Sequence, residues 1–139
     1  MVLGTTTLAH DVNKDLCLQH GGILPEPLSQ EENEFLNSLG SDMFVLGMSD
    51  KGTEDSWVWD SNGTPVVYTN WYGSEPAGGT RENCAVMFRN YESGGAFWGD
   101  LPCSSSTYME SKKKSLICQK RSEGRPQCLI HFECYVNKI

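Results

Sequence analysis

Six cysteines in a chain of 139 residues limit this sequence more than any other feature. They stand at positions 17, 84, 103, 118, 128 and 134, and no two form a C-x-x-C pair. In a chain this short that usage reads as a disulfide framework rather than a set of metal ligands, and it points to an oxidising, secreted or extracellular setting. The competing reading, a cytosolic protein that buries six thiols as small hydrophobes, fits the count less well. Asn62-Gly63-Thr64 would be a glycosylation acceptor in a secreted chain, although Pro65 directly after it weakens the match.

The length suits one domain with a modest core, and 38% hydrophobic with 10% aromatic residues argues against disorder. A formal charge of -7 leaves no basic surface for a phosphate backbone, so nucleic acid is not an expected partner. Lys112 to Lys114 is the only basic run, and it reads as a solvated loop before a strand. No segment approaches the length of a membrane span. Met1 to Leu8 lacks a basic n-region and an apolar run of signal-peptide length, so a leader is expected to have been removed or to lie outside this sequence.

Two helical patterns come first. Between Thr7 and Gly22, Leu8, Val12 and Leu16 recur four apart on one helical face, with Cys17 beside them. Ser29-Gln30-Glu31-Glu32 has the form of a capping box, followed by Phe35, Leu36 and Leu39 and stopped by Gly40. Beyond Gly40 the chain turns to short apolar runs, "MFVLGM", "SWVW", "VVYTNW", "CAVMF" and "SLICQ", divided by Gly, Asp, Asn and Ser clusters. Helices first and strands later predict an α+β domain rather than alternating βαβ units. The stretch "KRSEGRP" at 120 to 126 marks the one candidate boundary, with a C-terminal extension at 121–139 that carries Cys128 and Cys134. These two are close enough to bridge locally, the favoured reading, or to pair between chains.

In order, "LCLQHGGILPEPLSQEENEFL", "FVLGMSD", "SWVWDSNGTPVVYTNW", "EPAGGTRENC", "FWGDLPC" and "LICQK" resemble the C-type lectin-like domain family over roughly Thr7 to Lys120. The resemblance implies two helices plus antiparallel sheets, a long irregular loop region, and pairing of Cys17 with Cys118 and of Cys84 with Cys103. It makes "FVLGMSD" the central core strand, in which Phe44, Leu46 and Met48 alternate with residues facing the other way. Trp57, Trp59 and Trp71 are expected as packing aromatics. The domain is assigned to 1–120, and its usual opening strand finds no counterpart ahead of Thr7, which would leave a sheet edge open.

Sugar-binding members of that family hold calcium with a Glu-Pro-Asn or Gln-Pro-Asp loop, a second glutamate, and an Asn-Asp pair after a tryptophan. The corresponding residues are Glu75-Pro76-Ala77, Glu82, and Gly99-Asp100 after Trp98. Glu75, Glu82 and Asp100 are therefore the candidate metal and carbohydrate ligands, and calcium is the candidate cofactor. Ala77 and Gly99 carry no side-chain amide, and each lost hydrogen bond removes roughly 1 to 3 kcal/mol, so sugar binding is expected to be weak or altered. Pro76 is a candidate cis proline. Ser74, Thr80 and Asn83 are nearby oxygen donors, and Tyr72, Thr80 and Arg81 are placed to tune selectivity. Asp50 and Glu54 match an auxiliary calcium site of some relatives, whose further acidic positions are Gly78 and Asn83 here.

The expected function is a carbohydrate-binding module for a glycan or glycoprotein, with calcium assisting. The alternative is a lectin-like domain that uses the same loop surface for a protein ligand. No enzyme is expected: His10, His20 and His131 are scattered, and no H-E-x-x-H or G-x-S-x-G motif is present.

Overall fold

The computed structural model describes residues 2–5, 7–104 and 113–120. The expected extension at 121–139, with its Cys128 to Cys134 bridge, lies outside the described residues. Strand β1 (Val2–Gly4) precedes helix α1 (His10–Gln19), β2 (Gly22–Ile23) and helix α2 (Gln30–Ser38). The strands β3 (Met43–Ser49), β4 (Val58–Trp59), β5 (Cys84–Arg89), β6 (Ala96–Leu101), β7 (Ser115–Ile117) and β8 (Gln119–Lys120) follow. The α+β class holds: β4-β3-β5-β6 form an antiparallel sheet, while β1 pairs with β7 and β2 with β8.

Strand β3 is buried on both faces, as its alternation requires. Phe44, Leu46 and Met48 pack with Leu36, Trp57, Trp59, Met87 and Trp98 on one side. Met43 and Val45 pack with Leu8, Cys17, Val86, Leu101 and Leu116 on the other. Gly47 sits where the chain at Leu24 and Pro25 crosses this strand. A Cβ there would lie 3.0 Å from the Leu24 carbonyl oxygen, and the Gly47 N–H donates to the Pro25 carbonyl.

Helix α2 starts with a variant of the expected capping box, in which Glu32 reaches one residue further back than Ser29. The Ser29 hydroxyl accepts the Glu32 N–H at 3.2 Å, and the Glu32 carboxylate reaches back to the Leu28 N–H at 2.5 Å. Gly40, with φ +82°, takes the left-handed position after its end. Asn33 fastens this helix to β6, accepting from Trp98 Nε1 at 2.7 Å and donating to the Ala96 carbonyl at 3.1 Å. Trp98 is thereby fully buried with its one polar atom satisfied.

Helix α1 keeps its expected face only in part: Leu16 packs with Leu8 and Cys17, but Val12 turns outward. Val12 is 48% exposed, and the buried residues are His10, Asn13 and Cys17. Leu8 is buried but lies ahead of the first turn. Specific bonds rather than the apolar period orient this helix. Cys17 is joined to Cys118, Asn13 Nδ2 donates to the Thr7 and Ala9 carbonyls, and His10 Nε2 lies 2.7 Å from Asp60 Oδ2.

Two further expectations are corrected. The opening strand is present as β1, with Val2 opposite Ile117 and Gly4 opposite Ser115, so that edge of β7 is paired. Three residues are too few to show a period, and the strand is defined by its backbone ladder. Within the lysine run, Lys113 is exposed but Lys114 is buried at the entrance to β7, while Lys112 lies outside the described residues. The disulfides Cys17–Cys118 and Cys84–Cys103 form as the resemblance implies. The first closes a sequence separation of 101 residues, which restricts the unfolded chain strongly.

Two substitutions test this packing. Asn33→Ala, which leaves Trp98 Nε1 buried and unpaired, is expected to lower unfolding free energy by about 1–3 kcal/mol in denaturant titration. Val12→Ala, on the exposed face of α1, is expected to change it by less than about 0.5 kcal/mol.

Candidate functional site

Between β4 and β5 the chain runs through 24 residues, 60 to 83, with only a short 3-10 turn at Gly79–Arg81. It is held at several points. The Asp60 N–H donates to the Gly47 carbonyl, and Ser61 donates to the Glu26 carboxylate through both its N–H and its hydroxyl. Further along, Trp98 takes an N–H bond from Tyr72 on its carbonyl and gives one to Asn70. Trp71 stacks at 5.0 Å on Trp57 and lies edge-on to Trp98. The tryptophans expected as supports thus anchor the loop to the core, and Cys84–Cys103 closes its far end.

The structure places Glu75 against Asp100 and Glu82 beside Gly78, whose N–H Asp100 accepts. The Glu75–Pro76 peptide bond is cis. Asp100, on β6 opposite Ala85, aims its carboxylate at the loop, where Oδ1 accepts the Ala77 N–H at 3.1 Å and Oδ2 the Gly78 N–H at 2.9 Å. Its own N–H donates to Glu75 Oε2 at 3.2 Å. The Glu82 side chain fills the space that a Cβ on Gly78 would need. One β6 residue therefore fixes both the loop backbone and the Glu75 carboxyl.

The electrostatics follow from this crowding. A side-chain hydrogen bond to Asp100 pushes the Glu75 carboxyl up to about 7, with burial and the charge of Asp100 acting in the same direction. Burial, then the charge of Asp100, raises Glu82 as well. Among the described residues no cation forms an ion pair with any of the three. The group is an acidic surface without an internal counter-charge.

Asp50, Glu54 and Asp55 make a second acidic group, their oxygens lying within 4.8 Å of one another. Asp50 is buried: Oδ2 accepts the Asp55 N–H at 2.9 Å, and Oδ1 has no hydrogen-bond partner among the described residues. Glu54 is raised by desolvation and then by Asp50, Asp55 and Asp100. Asn83 keeps its side-chain oxygen buried and unpartnered while its Nδ2 donates to the Thr80 carbonyl. Thr80 and Arg81 are exposed on the short turn.

Sequence reasoning missed three participants. Asp55 joins the second acidic group from a turn at φ 63°. Phe88 and Phe97, paired across β5 and β6, pack against Tyr72 with ring centroids 5.5 and 5.4 Å away. A Cβ on Gly99 would come within 3.3 Å of the Phe88 ring and 3.5 Å of Glu75 Oε2. At the place of the missing asparagine there is now an aromatic ring beside a carboxylate. Alternation along "CAVMFR" and "AFWGDL" puts both phenylalanines opposite the tryptophan face, but only the strand register makes them neighbours.

Comparison with known proteins supports the fold. The Lectin C-type domain family matches residues 8–120. A tetranectin-like protein from Carcharhinus perezii is 38% identical over 116 residues, which cover 79% of this chain and 63% of that relative. This chain therefore spans only part of the relative's length. Among solved structures, the C-type lectin domain of murine dendritic cell inhibitory receptor 2, in complex with N-glycan, superposes with a TM-score of 0.67 at 23% identity, covering 85% of this chain and 86% of that one. A calcium-independent type II antifreeze protein gives 0.65 at 25% identity, covering 83% and 80%. With its two helices, antiparallel sheets, long loop region and paired cysteines, the chain belongs to the Lectin C-type domain family.

Proposed function

We propose that this domain is a secreted, non-enzymatic binding module whose long-loop surface takes a carbohydrate ligand with calcium held by Glu75, Glu82 and Asp100. The observation that supports the reading is Asp100, which accepts the Ala77 and Gly78 N–H groups and gives its own N–H to Glu75, with the Glu82 side chain beside Gly78. Calcium takes six to eight oxygens, so three carboxylates fit it in charge, with water completing the shell where Ala77 and Gly99 offer no side-chain oxygen. Bound there, calcium would supply a Lewis-acidic centre for two ligand hydroxyls. Glu75 and Glu82 would accept hydrogen bonds from those hydroxyls. The N-glycan complex of a structural neighbour agrees with this ligand class.

Two observations shape the reading further. The orphaned Asp50 Oδ1 favours a second cation between Asp50, Glu54 and Asp55, coupled to the first through Asp100. The missing amides at 77 and 99 favour a ligand other than the mannose-type sugars that a Glu-containing loop ordinarily selects, and the antifreeze neighbour is one case of this fold serving a non-sugar role. A protein ligand on the same surface is the alternative.

A glycan array run with the oxidised domain in calcium, and again in chelator, tests the proposal. Binding that disappears in chelator and in Asp100→Ala is expected, whereas retention in chelator would remove calcium from the account. An array blank in both conditions, from folded protein, would turn the search to protein ligands.

Proton linkage supplies two further predictions. Calcium competes with the proton on Glu75, so affinity measured by calorimetry should rise as pH rises through about 7. The metal-free domain should show the opposite trend. Glu75 is raised when folded, so its contribution to stability is full below the ordinary carboxylate range and is lost as pH climbs through about 7. Glu82 acts with the same sign. Glu75→Gln should flatten the fall in melting temperature across that window, and a fall of unchanged size would contradict the assignment.

A further inference from the structure

We propose that the corner formed by Tyr72, Phe88, Phe97 and Glu75 is a docking surface for the guanidinium or ammonium group of a basic protein segment, used without calcium. The corner is a particular juxtaposition. Gly99 has no side chain, and the Phe88 ring and Glu75 Oε2 lie 3.3 and 3.5 Å from the point its Cβ would occupy. An aromatic ring and a carboxylate are therefore neighbours beside one glycine.

Tyr72 extends the aromatic wall. It is 45% exposed, packs edge-on against both phenylalanines, and has its hydroxyl 3.4 Å from Asn90 Nδ2. The turn that carries it closes with the Glu75 N–H donating to the Tyr72 carbonyl at 2.9 Å, so wall and carboxylate move as one piece. Phe88 and Phe97 are partly buried and belong to β5 and β6, which gives the wall a rigid base.

Charge complementarity names the occupant. An aromatic face attracts a cation within about 6 Å of its centroid, and a desolvated carboxylate beside it adds a charge-assisted hydrogen bond. Glu75, Asp100 and Glu82 have no ion-pair partner among the described residues, and the chain carries a net charge of -7. Arginine suits the corner better than lysine because its planar group can stack on the ring while its N–H groups meet the carboxylate. A sugar's hydroxyls could hydrogen-bond the carboxylate but would leave its charge unpaired, and an acidic partner would be repelled.

The test uses the whole chain, isotopically labelled, in chelator at low salt and mildly alkaline pH, titrated with an acetylated, amidated Gly-Arg-Gly-Arg-Gly peptide. Saturable amide shifts centred on Tyr72, Phe88, Phe97 and Gly99 are expected, weakened by added salt. Tyr72→Ala and Glu75→Gln should each raise Kd about five- to tenfold. Asp15→Asn, which removes an exposed charge on α1, should leave it within about twofold. Gly99→Ala, which puts a methyl into the corner, should weaken binding as Tyr72→Ala does. The proposal is overturned if no shift occurs up to about 10 mM peptide. It is equally overturned if the shifts spread over the acidic surface and Asp15→Asn weakens binding as much as Tyr72→Ala does.

Discussion

The alternation of side chains along β6 is the constraint on which both core and loop depend. Trp98 and Asp100 point to one side of the sheet, while Phe97 and Gly99 point to the other, where they meet Tyr72 and Glu75 of the loop. Trp98 is locked by Asn33 from α2 and receives Trp59, Tyr68 and Trp71 around its edges. Two residues on, Asp100 meets the loop backbone with both carboxylate oxygens. A one-residue slip of register would turn Trp98 and Asp100 together to the opposite face of the sheet, so packing and site geometry stand or fall together.

A long loop is ordinarily the least ordered part of a domain, because its backbone groups lack regular partners. Here the partners come from side chains: Glu26 holds Ser61, His10 meets Asp60, and Asp100 holds Ala77 and Gly78. The acidic groups that position the loop also make its surface anionic. At Asp50 and Asp100 a carboxylate serves a turn or loop N–H and lies among other carboxylates. The proposed binding chemistry would use the side chains that hold the loop, which is why a cation is expected to matter to both.

Much of this was legible in the residues. The capping box at Ser29 follows from local chemistry, and the core strand came from the resemblance that "FVLGMSD" carries. The cysteine pairs and the acidic trio came from the resemblance of ordered motifs. Three things were not legible. Helix α1 is turned by a disulfide and by polar contacts of Asn13 and His10, so its apolar spacing held for Leu8 and Leu16 but not for Val12. Strand β1 is too short to carry a pattern and exists through its pairing with β7. The aromatic corner depends on which residues of β5 face which of β6, a long-range fact that no local period contains.

On the proposed function, Asp100 holds the loop so that Glu75 and Glu82 can share a cation with it. A calcium titration of the labelled domain, followed by amide chemical shifts at mildly alkaline pH, decides the matter. Saturable changes are expected at Glu75, Ala77, Gly78, Glu82 and Asp100, and they should vanish in Asp100→Ala. Shifts confined to Asp50, Glu54 and Asp55, or a spectrum unmoved by calcium, would contradict that reading.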